Sequence, residues 1–392
     1  MKITRVETLI HPDGPIPALT FVRLLTDDGL VGLGETFYTP LSVVAYVHEV
    51  LAPLLLGADV TADGWDWDDV YGRSARRVPG GVDLRAQSAV DLAVWDLRGK
   101  ALGRPVSDLL GVAQAGGVKV YNTSAGLRYA TATAVSRGLS DIGDDLWLAE
   151  NDPGALAISL LSEGFVGMKL WPFDAAARID RGSRIDPVGL AKGVSTLTKI
   201  REAVGDSIEL MVEGHGLWQV PAAARILGEI EHLDITWAED MVLAHDPDSL
   251  AALAKRTSIA LGASEYVGGR WSYRQLLQAG GVGYLHLDPS WCGGISEAQK
   301  ILALASSYGV TASMHDCTGP INLLAGLHLA RTNSIVGYQE VLRAFLNEVY
   351  PTVVDTEWTL IDGRLCTPDR PGLGAELTPN FIRNSTIQAT VS

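Results

Sequence analysis

Basic residues are scarce in this chain: 31 lysines and arginines face 46 aspartates and glutamates, a formal net charge of −15 over 392 residues. A nucleic-acid partner needs a basic surface to release counterions from phosphates, so that class is excluded. An anionic small molecule is not excluded, because a local cation or metal reverses the field inside a cleft. Cysteine is scarce too. Cys292, Cys317 and Cys366 are an odd number at scattered positions, with neither zinc spacing nor a disulfide framework, which points to reduced thiols in the cytoplasm. No run of about 20 uncharged apolar residues is present, so no membrane span is expected. The segment Met1 to Val6 lacks the apolar stretch of a signal peptide and reads as a strand. With 47% hydrophobic residues and 42 glycines, a large buried core is within reach and nothing suggests disorder.

The first part reads as strand, strand, turn, strand. Met1 to Leu9 alternates, Ala18 to Leu25 follows, and Asp27-Asp28-Gly29 leads into Val31 to Glu35 as a hairpin. Helical spacing follows from about residue 40 to 56 and from about 84 to 101. From about Gly117 the rhythm changes to short apolar runs, each followed by a helical pattern. There are eight: Val118–Thr123, Phe165–Leu170, Ile208–Glu213, Asp234–Asp240, Ile259–Glu265, Tyr284–Pro289, Val310–His315 and Ile335–Glu340. Strand–helix alternation implies parallel βαβ units, and eight suit a closed barrel better than an open sheet. The expected architecture is therefore α/β: residues 1–116 a mixed α+β domain, 117–345 a (β/α) barrel, and 346–392 a segment returning to the first domain. The stretch 172–186 reads as a long loop at the functional end of the barrel.

Glu213, Glu239 and Glu265 close the third, fourth and fifth strands at equal intervals, since 239 − 213 = 26 and 265 − 239 = 26. Strand C-termini of a barrel converge on one mouth, where active sites sit. Three carboxylates meeting there repel one another unless a cation lies between them, and an all-oxygen site suits Mg²⁺ best, with Mn²⁺ as the alternative. His215 stands two residues beyond Glu213, so strand alternation directs both to the mouth, as it pairs Lys169 with Trp171. Asp288 closes the sixth strand and His315 the seventh, so Asp288 is placed to fix the tautomer of His315. Glu340 closes the eighth. A histidine removes a proton beside a carboxylate only if the resulting enediolate is stabilised, by a divalent metal and by Lys169. His215 would assist departure of a neighbouring hydroxyl, leaving a 2-keto acid.

The segments Asp28–Glu35, Ala89–Lys100 and Leu287–Ile295 together resemble the mandelate racemase subgroup of the enolase superfamily, over nearly the whole chain. Glu213-Gly214-His215-Gly216, and His315 followed by Gly319-Pro320, are most similar to the sugar-acid dehydratases related to galactonate dehydratase. The resemblance implies a modified (β/α)7β TIM barrel with an α+β N-terminal capping domain completed by the C-terminal segment. It implies Glu213, Glu239 and Glu265 as magnesium ligands, the Asp288–His315 pair as base and His215 as acid. Glu340 becomes a partner of the substrate carboxylate, with Lys169 near it. Where the racemases carry a second lysine as base, this chain has Trp171, which disfavours racemisation through lysine. The implied reaction is dehydration of an aldonate or aldarate to a 2-keto-3-deoxy acid. Epimerisation, racemisation or cycloisomerisation on the same enediolate, or a barrel that only binds a sugar acid, are the alternatives. Candidate substrate contacts are Trp171, Tyr38 and Asn122, with Arg76 and Arg77 on a capping-domain loop. The resemblance also implies a homo-oligomer, from dimer to octamer.

Overall fold

Close backbone contact between a sheet and one long helix organises the N-terminal region of this computed structural model, which describes residues 1–14, 16–60, 66–75, 80–114, 116–129 and 141–392. Strands β1 (Ile3–Ile10), β2 (Leu19–Thr26) and β3 (Val31–Phe37) form an antiparallel meander, with Gly29 in the left-handed region at the β2–β3 turn. Helix α1 (Val82–Leu102) crosses β3 and ends at Gly103, also left-handed. The approach requires glycine: a Cβ on Gly34 would lie 1.9 Å from the Ala89 carbonyl oxygen, and one on Gly32 would lie 2.2 Å from that of Ala93. Val22, Leu24, Ala86, Val90 and Val94 are buried between the layers.

Eight parallel strands follow: β4 (Val118–Thr123), β5 (Gly167–Leu170), β6 (Glu209–Glu213), β7 (Ile235–Glu239), β8 (Leu261–Ala263), β9 (Val282–Leu287), β10 (Thr311–Met314) and β11 (Val336–Val341). They pair in chain order, and β11 pairs with β4 to close the barrel. Helices fill all seven connections; those used below are α2 (Asp174–Ala177) after β5 and α3 (Pro320–Thr332) after β10. Parallel strands need such crossovers, and the apolar runs read in the sequence are buried on their outer faces by them. The eighth-to-first closure leaves no open edge between β4 and β11. The fifth strand is shorter than expected, so Glu265 stands two residues beyond its end at Ala263.

Inside the barrel, Tyr121, Met211, Trp237 and Tyr338 pack into one buried cluster, with Trp237 edge-on to Tyr121 and Tyr338. This apolar plug separates the polar side chains at the strand C-termini from the Lys119–Glu209 ion pair at the strand N-terminal ends. The C-terminal segment contributes twice. Strands β12 (Leu360–Ile361) and β13 (Arg364–Leu365) form a hairpin against β4, while β14 (Thr386–Val391) pairs antiparallel with β1. His328 on α3 ties these regions together: its Nδ1 accepts from the Ser107 N–H at 3.1 Å and its Nε2 lies 3.2 Å from the Leu373 carbonyl oxygen. No helix among the described residues is long and apolar enough to cross a membrane.

Candidate active site

Glu213 is the last residue of β6 and pairs in register with Glu239, the last residue of β7. Their side chains share the barrel interior with Lys169 of β5. The Lys169 ammonium lies 2.8 Å from Glu239 Oε1, 3.1 Å from Glu340 Oε1 and 3.2 Å from Glu213 Oε2. Burial works against charge on Lys169, but Glu239 and Glu340 outweigh it and hold the ammonium well above its ordinary range. Burial and the neighbouring Glu239 push Glu213 up to about 8. Glu239 goes the other way: burial raises it, but His286 and Lys169 more than offset that. His286 Nδ1 comes within 2.7 Å of Glu239 Oε1 without hydrogen-bond geometry, and Trp237 Nε1–H donates to Oε2 at 3.0 Å.

His315 follows β10, and its Nδ1 lies 2.7 Å from Asp288 Oδ2. Asp288 is itself fully engaged. Ser290 donates to Oδ1 through both its backbone N–H and its hydroxyl at 2.7 Å, and Asn322 Nδ2 reaches Oδ2 at 3.2 Å. Asn322 also donates to the His315 carbonyl at 3.0 Å, so one amide from the first turn of α3 holds both members of the pair. Glu35 of β3 in turn accepts from the Asn322 N–H at 2.6 Å, connecting the N-terminal sheet to this turn. The Nε2 of His315 faces Glu340 Oε2 at 3.8 Å and Glu265 Oε1 at 4.0 Å.

His215 occupies the opposite side: β6 and β10 are third and seventh of eight in ring order. Strand alternation, the ground for placing it, does not operate here, because β6 ends at Glu213 and His215 takes a left-handed conformation (φ 46°). It reaches the mouth by a turn in which its N–H donates to Glu213 Oε1 at 2.8 Å. Its Nδ1 lies 2.7 Å from Asp174 Oδ2 on α2. Burial lowers its proton affinity, but Glu213 and Asp174 raise it further, to about 9.

Trp171 is half-buried, with its ring 5.4 Å from His215 and 5.5 Å from Tyr129. Tyr38, 39% exposed, packs on Trp291, which packs on His315, while the Arg85 guanidinium lies 4.2 Å from the Trp291 ring. Asn122 does not belong to the mouth. Its neighbours Tyr121 and Thr123 point inward, so Asn122 points outward, where it donates to Asp145 and accepts from the Arg343 N–H. The expectation of a substrate contact there is withdrawn. Arg76 and Arg77 lie outside the described residues. Sequence reasoning missed Asp174, His286, Asn322 and Asp240. Alternation back from Asp288 could have found His286. Asp174 lay in the 172–186 stretch already singled out, and Asn322 has no local signal because its role depends on where α3 begins.

The mouth suits a hard divalent cation by its donor chemistry. Carboxylates project from three adjacent strand ends, and two buried oxygens, Glu265 Oε2 and Asp240 Oδ1, have no partner. Burial together with Glu265 and Glu213 pushes Asp240 well above its ordinary value, a sign of uncompensated negative charge. Glu213, Glu239 and Glu265 do not draw their ligand atoms together as closely as another trio. Among the described residues that trio is His315, Cys317 and Glu340, whose ligand atoms all lie within 4.8 Å of one another.

Comparison with known proteins gives a consistent picture. Residues 154–381 match the family described as enolase C-terminal domain-like, and residues 17–111 match the N-terminal domain of mandelate racemase / muconate lactonizing enzyme. A D-galactonate dehydratase of Xanthomonas oryzae is 30% identical over 98% of this chain and 94% of its own length. One from Pectobacterium atrosepticum is 30% identical over 97% and 94%. The crystal structure of an enolase of the mandelate racemase subgroup from Agrobacterium tumefaciens superposes with a TM-score of 0.87 at 35% identity, covering 100% of this chain and 99% of that one. An enolase-superfamily member from Salmonella Typhimurium gives 0.89 at 25% identity, covering 99% of each.

Proposed function

Since the chain belongs to the mandelate racemase/muconate lactonizing enzyme family, we propose that it is a magnesium-dependent sugar-acid dehydratase acting on an aldonate or aldarate. The observation that carries this reading is a pair of imidazoles on opposite strand ends, His215 and His315, each with a carboxylate on its Nδ1 and the acidic cluster between them. The D-galactonate dehydratases that resemble the chain end to end support the substrate class.

His315 Nε2 takes the proton from the carbon beside the substrate carboxylate, while Asp288 holds the ring in place and balances the charge it gains. His215, protonated because its affinity is raised to about 9, gives a proton to the departing β-hydroxyl, which leaves as water. Lys169 neutralises charge near the carboxylate, and Glu340 orients it. Glu213, Glu239 and Glu265 would hold a magnesium ion, which supplies positive charge to the substrate carboxylate and against the acids that otherwise keep His315 protonated. The enol product tautomerises to a 2-keto-3-deoxy acid. Trp171, in place of a second lysine, leaves racemisation through lysine without its base.

Incubation with a panel of aldonates and aldarates in Mg²⁺, read by 2-keto acid formation, tests the proposal. His315→Asn is expected to lose about 100- to 10,000-fold in turnover, the usual contribution of a positioned base. Solvent deuterium entering the α-position without keto acid would instead indicate epimerisation, and an inert panel would count against the whole reading.

A further inference from the structure

We propose that the same mouth carries a second site, selective for soft cations of the zinc and cadmium type, built from His315 Nε2, Cys317 Sγ and a Glu340 carboxylate oxygen. A metal there would occupy the lone pair of His315 and so inhibit the enzyme; that consequence, but not the binding, rests on the dehydratase reading.

Geometry is the first argument. Beyond their mutual separation below 4.8 Å, His315 Nε2 lies 3.8 Å from Glu340 Oε2, and Cys317 Sγ lies 3.8 Å from Glu340 Oε1. Zinc with bonds of about 2.0–2.3 Å at tetrahedral angles places neighbouring ligand atoms about 3.3–3.5 Å apart. The two separations to Glu340 exceed that spacing by a few tenths of an ångström, and the Nε2-to-Sγ separation lies within 4.8 Å. Chemistry is the second. A thiolate, an imidazole and a carboxylate form a mixed set that favours zinc over magnesium, unlike the all-oxygen trio beside it.

The surroundings are arranged as at a metal-binding histidine. Asp288 on Nδ1 directs the Nε2 lone pair outward, and such carboxylate–histidine pairing is the usual support of a zinc ligand. Glu340 is fixed from behind by the Thr123 hydroxyl and by the Asp316 N–H. Independently, Glu265 Oε2 is buried without a partner, and its Oε1 lies 4.0 Å from His315 Nε2, so Glu265 is placed to complete the coordination. Glu340 presents Oε2 to His315 Nε2 and Oε1 to Cys317 Sγ, with the Lys169 ammonium 3.1 Å from Oε1. Binding displaces the Cys317 thiol proton and the Nε2 proton of His315 to solvent as the metal–sulfur and metal–nitrogen bonds form. No zinc spacing marks the sequence because two ligands follow β10 and the third is on β11.

Cadmium titration of the metal-free protein provides the test, since a cadmium–thiolate bond absorbs in the ultraviolet whatever reaction the enzyme performs. One equivalent is expected to give a saturable band. Cys317→Ser should abolish it, while Cys366→Ser should keep it. Zinc should inhibit the magnesium-loaded enzyme, and the Cys317→Ser variant should need about 10- to 100-fold more for the same inhibition, the usual effect of losing part of a metal site. A band that survives Cys317→Ser, or zinc inhibition equal in both proteins, would overturn the site. An inert sugar-acid panel alongside a Cys317-dependent band counts against the dehydratase and not against the metal site.

Discussion

Asp174 and Asp288 play parallel parts, each holding one histidine by its Nδ1 at 2.7 Å. The parallel predicts that Asp174→Asn lowers turnover by about 10- to 100-fold, typical for losing the group that orients a functional imidazole, while the melting temperature stays close to wild type. An unchanged kcat would remove His215 from the acid role. Asp288 was legible because it closes a strand next to the one that ends at His315. Asp174 was not, because pairing across 41 residues depends on how the chain folds back after β5. His215 reached the mouth by a left-handed turn, so the alternation rule gave the correct destination through a geometry that is absent. Asn122 shows the same rule neglected: counting from Tyr121, which packs inside the barrel, places it outside.

At the level of elements, the strands were read well because buried parallel strands leave continuous apolar runs between helical patterns, and their ends mark the mouth. The capping contacts were less legible, since they depend on close approach between segments distant in sequence. Gly34 is the clearest case. Its absent side chain lets α1 lie against β3, and β3 continues into Glu35, which holds the Asn322 N–H beside the Asp288–His315 pair. Gly34→Ala would drive a Cβ into backbone that cannot move aside, and a destabilisation of about 1–3 kcal/mol is expected from such overpacking. Chemical denaturation measures it. An unchanged midpoint would mean that sheet and helix are free to separate at no cost.

Across the whole molecule, the barrel and the capping region share buried polar links, of which His328 is the most informative. Burial pulls its pKa down to about 4, and its Nδ1 already accepts the Ser107 N–H, so the neutral ring is the one that fits. The folded value lies below the ordinary 6.5, so the stabilisation is complete above pH 6.5 and is lost as the pH falls towards 4. The gap between those values corresponds to roughly 3 kcal/mol. Stability measured from pH 7 to pH 4 should fall more steeply in the wild type than in His328→Gln, and equal slopes would contradict the assignment.

Three acids at three neighbouring strand ends, Glu213, Glu239 and Glu265, are proposed to hold one hard cation. Calorimetric titration with Mg²⁺ tests that directly in the wild type and in Glu213→Gln, Glu239→Gln, Glu265→Gln and His315→Asn. One ion per chain is expected, with binding lost or greatly weakened in each glutamine variant and kept in His315→Asn. Wild-type affinity in any of the three glutamine variants, or loss of magnesium with His315→Asn, would contradict it.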